Sequence, residues 1–77
     1  MKYNEDKIDE VVLALLSMTA FSDKSCVRAW KGFDWDVLDR LHKKGFISNP
    51  QSKAKSIIMS DEGLQQSKLL FDKFFAK

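Results

Sequence analysis

The chain has 77 residues, 44% of them hydrophobic and 31% charged, with a formal net charge of +2. That is enough for one domain spanning 1–77, too apolar for a disordered segment, and short of the walls that a substrate cleft of about 300 Å³ or more requires, so binding is expected rather than catalysis. The longest apolar run, Val11 to Leu16, is far below the roughly 18 residues of a membrane span, and the acidic start MKYNEDKIDE is unlike a signal peptide; the expectation is a cytoplasmic protein with no membrane partner.

The first predicted helix runs from Met1 to Phe21, with Asn4 as its cap and Glu5 and Asp6 in the first turn, where carboxylates interact favourably with the helix dipole. Ile8, Val11, Val12, Leu15, Met18 and Thr19 recur at spacings of three and four and share one face. Leu13 and Leu16 lie beyond that stripe, so the helix is either central to the core or packs on a second chain. Glu5, Asp6, Asp9 and Glu10 read as a solvated polar end.

Ser22 is placed to cap a short second helix, Asp23 to Lys31, in which Val27 and Trp30 are spaced to bury together and Gly32 supplies the stop. Cys26 cannot form an internal disulfide and reads as a small buried apolar group. Asp34 then caps a third helix, with Trp35, Val37, Leu38 and Leu41 giving its buried face and Asp39 spaced to pair with Lys43. Lys43, Lys44 and Gly45 end it, and Phe46 falls where a Schellman motif sets its hydrophobic contact, on Leu41.

A hairpin follows: a short strand at Phe46 to Ser48, a turn at Asn49-Pro50-Gln51-Ser52, and a return strand from Lys55 to Met59 with Ile57 and Met59 on one side and Ser56 and Ile58 on the other. Ser60 caps the last helix ahead of Asp61 and Glu62, while Gly63 occupies the place where a capping box sets Glu or Gln. Leu64, Ser67, Phe71, Phe74 and Phe75 trace its stripe, flanked by Leu69 and Leu70. The fold class expected is mainly α with a small β-hairpin: a winged helix-turn-helix of three helices, a hairpin and a fourth helix.

The run from Leu38, LDRLHKKGFISNPQSKAKSIIMSDEG, is similar to the recognition-helix end, wing and following helix start of winged-helix transcription regulators of the multiple-antibiotic-resistance and phenolic-acid-decarboxylase repressor type. AWKGFDWDVLDRLHKKGFIS followed by KAKSIIMSDEG also resembles a family of small bacterial proteins of unknown function. The first resemblance implies the fold better than the ligand, and the second brings no activity.

Charge is divided unevenly along the chain. Residues 1–39 carry five Lys or Arg and eight Asp or Glu, whereas residues 40–77 carry eight and three. Arg40, Lys43, Lys44, Lys53 and Lys55 form a basic run uninterrupted by acids, and these are the candidate contacts to the phosphates of double-stranded DNA, a regulatory module with a basic wing being the leading expectation. Asp34, Trp35 and Asp36 stand where base-reading side chains usually sit, which limits such binding to the DNA backbone.

The alternative is a homodimer, or a module for another protein partner, that associates through Leu13, Leu16, Leu70, Phe71, Phe74 and Phe75. The two tryptophans, flanking a tight turn, are placed in the core. No enzyme, metal or cofactor is expected: there is no Gly-rich phosphate loop, no ligand cluster and no nucleophile with a base at useful spacing. Asp34, Asp36 and Asp39 have helix-start and pairing explanations, and the lone His42 reads as a packed or solvated residue.

Overall fold

The computed structural model describes residues 2–77. The element order is α1 (Glu5–Thr19), β1 (Ala20–Asp23), β2 (Cys26–Trp30), α2 (Trp35–Lys43), β3 (Ser56–Met59) and α3 (Asp61–Phe75). The strands form one antiparallel sheet in the order β1-β2-β3. Its inner face carries Ala29, Ile57 and Met59, which join Leu13 and Leu16 of α1 and Val37, Leu38 and Leu41 of α2 in a single core, with Leu64 and Leu70 of α3 packed against it. All three helices therefore cover the same side of the sheet.

This is a mixed α/β domain, and the winged helix-turn-helix expectation is overturned at its second helix. Residues expected to form a helix from Asp23 to Lys31 are instead the β1–β2 hairpin, with Ala20 opposite Ala29 and Asp23 opposite Cys26. The misreading has a physical source. Val27 and Trp30 do lie three apart, but in an extended chain they fall on opposite faces: Val27 points inward and Trp30 is 52% exposed. The two-residue turn, Lys24 and Ser25, also lacks the glycine that marks such hairpins, so Lys24 itself takes the left-handed conformation (φ 55°).

With that helix gone, the described residues hold no two helices joined directly by a tight turn, as a helix-turn-helix requires. The expected wing is changed as well, because the main partner of β3 is β2, through Val27 to Met59 and Trp30 to Ser56. The Phe46 to Ser48 arm keeps one bridge, Ile47 with Met59, flanked by hydrogen bonds from Ser48 N to Ile58 O at 2.8 Å, Ile58 N to Ser48 Oγ at 2.9 Å and Ser60 N to Phe46 O at 3.0 Å.

Helix boundaries elsewhere follow the local chemistry. Asn4 Oδ1 accepts from Lys7 N at 3.1 Å, and α1 ends at Thr19, short of the expected Phe21, because Ala20 and Phe21 are taken by the sheet. Asp34 accepts from the amides of Asp36 and Val37. Gly45 adopts φ 83°, Gly45 N donates to His42 O and Phe46 N to Leu41 O, the pair of bonds that defines a Schellman motif.

Gly63 has a reason that helix-capping rules do not supply. The Ser60 hydroxyl accepts from Gly63 N and donates to Gly45 O at 2.7 Å, so the start of α3 is pinned to the end of α2. A Cβ at Gly63 would collide with the Phe46 carbonyl oxygen and lie 2.8 Å from its carbon. Gly63→Ala is therefore expected to destabilise the fold by about 1–3 kcal/mol through overpacking, outweighing the roughly 1 kcal/mol that alanine adds to a helix. Urea unfolding measures it; an unchanged or raised midpoint would contradict the close approach.

Candidate functional site

The basic run divides into cations used inside the fold and cations left on the surface. Asp9, read from the sequence as part of a solvated end, is only 1% exposed. Arg40 Nε lies 2.9 Å from both of its carboxylate oxygens, Arg40 Nη2 is 2.8 Å from Oδ1, and Lys44 Nζ is 3.0 Å from Oδ2. Glu5 takes a further Arg40 bond at 2.7 Å. These contacts clamp the last turn of α2 to the first half of α1. Among the described residues the Asp39–Lys43 pair expected from helical spacing is not formed within ion-pair distance.

Burial alone pushes the Asp9 carboxyl up, but the hydrogen bonds and charges of Arg40 and Lys44 outweigh it and hold the group below its ordinary value. Lys44 and Arg40 move upward, chiefly through their hydrogen bonds to Asp9. Lys43, Lys53 and Lys55 are exposed. Lys53 and Lys55 sit in the loop before β3, where Lys55 O accepts from Lys31 N at 3.3 Å.

The apolar candidates are also redistributed. Leu13 and Leu16, expected at an interface, are 1% and 0% exposed and belong to the core. The stripe beside them faces outward: Ile8 is 38% and Met18 69% exposed, with Val11 and Leu15 half-buried. The sequence did carry a signal for this choice, since Asp9, Leu13 and Leu16 share the same three-and-four spacing. On α3, Leu70 packs on the core, Phe71 and Phe74 are half-buried and Phe75 is exposed. The Phe71 and Phe75 rings lie 5.0 Å apart, and Lys7 Nζ of α1 sits 4.1 Å from the centre of Phe74. This joins the aromatic end of α3 to the outer stripe of α1.

Small residues let the two helices approach: Ala14 is fully buried, and the Ser67 hydroxyl donates to Leu13 O at 2.6 Å beside Ser17.

Sequence reasoning placed both tryptophans in the core, and the structure places them outside it. Trp30 lies on the outer face of the sheet with Phe21, Arg28 and Ile58, its ring centre 5.2 Å from that of Phe21. Arg28 Nε donates to Ser56 Oγ at 2.7 Å and Nη2 to Ser56 O at 3.1 Å. Trp35, 56% exposed, lies 5.6 Å from Lys31 Nζ, which donates to Pro50 O and Ser52 O. Cys26 is half-buried on this outer face, not in the core, with its thiol donating to Asp23 O.

A cleft of about 140 Å³ lies between α1, α2 and α3, lined by Leu13, Leu41, Phe46 and Leu70 with the Asp9 and Lys44 pair at its edge. It is smaller than typical ligand pockets of roughly 300–1,000 Å³, and the Asp9 and Lys44 groups at its edge already pair with one another. Among the described residues no group of three or more His, Cys, Asp or Glu is arranged to hold a metal ion, and no helix is long and apolar enough to cross a membrane.

Asp9→Ala is expected to lower stability by about 2–3 kcal/mol, less than a fully buried pair because the freed cations can regain water. The contribution of the Asp9 carboxylate is present above its unfolded value near 3.8 and is lost as pH falls through its lower folded value. That of Lys44 is complete below about 10.5 and fades as pH rises through its higher folded value. Acid unfolding followed by circular dichroism should accordingly lose part of its pH dependence below about pH 4 in Asp9→Asn. An identical acid limb in the two proteins would mean that the clamp is not formed in solution.

Comparison with known proteins supplies the family. Residues 4–77 match the family described as "Domain of unknown function (DUF6429)". The chain is also 48% identical over 77 residues, the full length of both proteins, to "Uncharacterized protein y4hR" of Sinorhizobium fredii (strain NBRC 101917 / NGR234). No solved structure matches. A match over nearly the whole chain, with a full-length bacterial relative, makes this protein a member of the DUF6429 family.

Proposed function

We propose that this chain is a non-catalytic association module that forms a homodimer through the outer stripe of α1 and the phenylalanine cluster at the end of α3. The observation that carries this reading is the exposure of Ile8 and Met18 on a helix whose other sides are already filled by Leu13, Ala14 and Leu16. Such a helix has apolar groups on nearly every side, and an uncovered apolar stripe on a small domain marks a contact surface.

A twofold pairing lets the same stripe face itself, as closed homodimers do. Burying four half-exposed aliphatic side chains per copy supplies on the order of 8 kcal/mol, against an association cost of about 4–15 kcal/mol. The phenylalanines are therefore needed as well, and a micromolar dimer is the expected strength. Duplex binding has less to support it, because Arg40 and Lys44 are committed to Asp9 and only Lys43, Lys53 and Lys55 of the basic run remain for phosphates.

Sedimentation equilibrium at about 10–200 μM tests the proposal. The native chain should move from monomer to dimer across that range, and Leu15→Lys with Met18→Lys should leave a folded monomer, since both positions are at or near the surface and cations suit a helix C-terminus. A native chain that stays monomeric throughout overturns it.

A further inference from the structure

We propose that the outer face of the sheet binds single-stranded nucleic acid, with a base stacking on Trp30 beside Phe21 and the sugar-phosphate backbone running past Arg28 toward Lys53 and Lys55. The proposal stands on a different surface from the helical stripe and does not depend on it.

Strand alternation brings the components together. Phe21, Arg28 and Ile58 are direct cross-strand neighbours on the side of the sheet that no helix covers, and Trp30 stands two residues along from Arg28. Trp30 is 52% exposed, and its ring centre lies 5.2 Å from that of Phe21 with a tilt of 33°. A rigid aromatic with one open face is a stacking platform, and base stacking does not depend on sequence because every base has a π-face.

Arg28 is fixed by two donations to Ser56, through Nε and Nη2, which leaves Nη1 for an acceptor above the sheet. A dry protein contact over this face would bury that guanidinium charge without a counterion, whereas phosphate or a base edge satisfies it.

The charge around the tryptophan end fits the same ligand. Lys31 follows Trp30 directly and its amide donates to Lys55 O, while its ammonium is held by Pro50 O and Ser52 O beside the ring of Trp35. Lys53 and Lys55 are exposed in the loop that leads into β3 at Ser56. The nearest acids in sequence, Asp34 and Asp36, flank Trp35, and the Asp34 carboxylate already accepts from two backbone amides; Asp23 lies at the far end of the face beside Cys26. Between the turn at Lys24 and Lys55 the track spans roughly 20 Å by strand rise, enough for about four extended nucleotides. A duplex hides its base faces from such a platform, so the ligand is single-stranded.

The test uses the intact chain carrying Trp35→Phe, so that Trp30 is its one tryptophan. Titration with ten-residue oligothymidylate and oligouridylate at low salt should quench Trp30 fluorescence, with affinity falling as salt rises at a log–log slope near −2 for about three phosphate contacts. In the native background, anisotropy of the labelled oligonucleotides should show Trp30→Ala weakening binding about tenfold or more and Arg28→Lys weakening it less. The Leu15→Lys, Met18→Lys monomer should still bind, so that failure of dimerisation and failure of this proposal are separately visible. No quenching by either oligonucleotide at low salt, equal affinity for duplex, or binding unchanged in Trp30→Ala would each overturn it.

Discussion

A single buried carboxylate sets how the helices are arranged. Asp9 is held by Arg40 and Lys44 near the end of α2, and since Leu13 and Leu16 lie on the same stripe of α1, pulling Asp9 inward brings both leucines with it. Removing Asp9 from water is costly on its own, and only the two cations with their hydrogen bonds make its ionised form the favoured one. The outward position of Ile8, Val11, Leu15 and Met18 is a consequence of that clamp. A stability feature and a proposed contact surface are in this way two sides of one helix.

A second constraint joins α2 to α3. The Schellman bonds at Gly45 and Phe46, the Ser60 hydroxyl on Gly45 O, and the contact of Gly63 with the Phe46 backbone bring the end of one helix against the start of the next. Between these two anchors the chain must leave and return through β3, which fixes Ile57 and Met59 in the core and Ile58 outside it. With all helices on one side of the sheet, no helix covers Phe21 and Trp30, and the exposure of Trp30 beside the half-buried Phe21 follows from topology. The proposed association through the helices and the proposed nucleic-acid binding through the sheet use separate surfaces, so such a dimer would leave two stacking platforms free.

Much of the local structure was legible in the residues. Asn4, Asp34, Ser60 and Gly45 end their helices as their side chains and backbone preferences require, and the alternation of β3 was readable because Ile57 and Met59 are large and Ser56 polar. The β1–β2 hairpin was not readable: its inward positions on β2 hold the half-buried Val27 and the small Ala29, its turn uses Lys24 in place of glycine, and Val27 and Trp30 imitate a helical pair. Of the candidate sites, the phenylalanines of α3 lie at or near the surface, but the α1 face was inverted and Arg40 and Lys44 proved to have partners inside the fold.

The division between the two levels follows from the range of the forces involved. Caps, the helix stop and strand alternation are decided within a few residues by hydrogen-bond supply and backbone sterics, so the sequence by itself determined them. Which apolar face of α1 is interior, which cations remain free and whether residues 23–31 pair as strands depend on contacts between residues 31 to 54 positions apart. Asp9 with Arg40, Ser67 with Leu13 and Val27 with Met59 are those contacts, and only the tertiary structure could decide them.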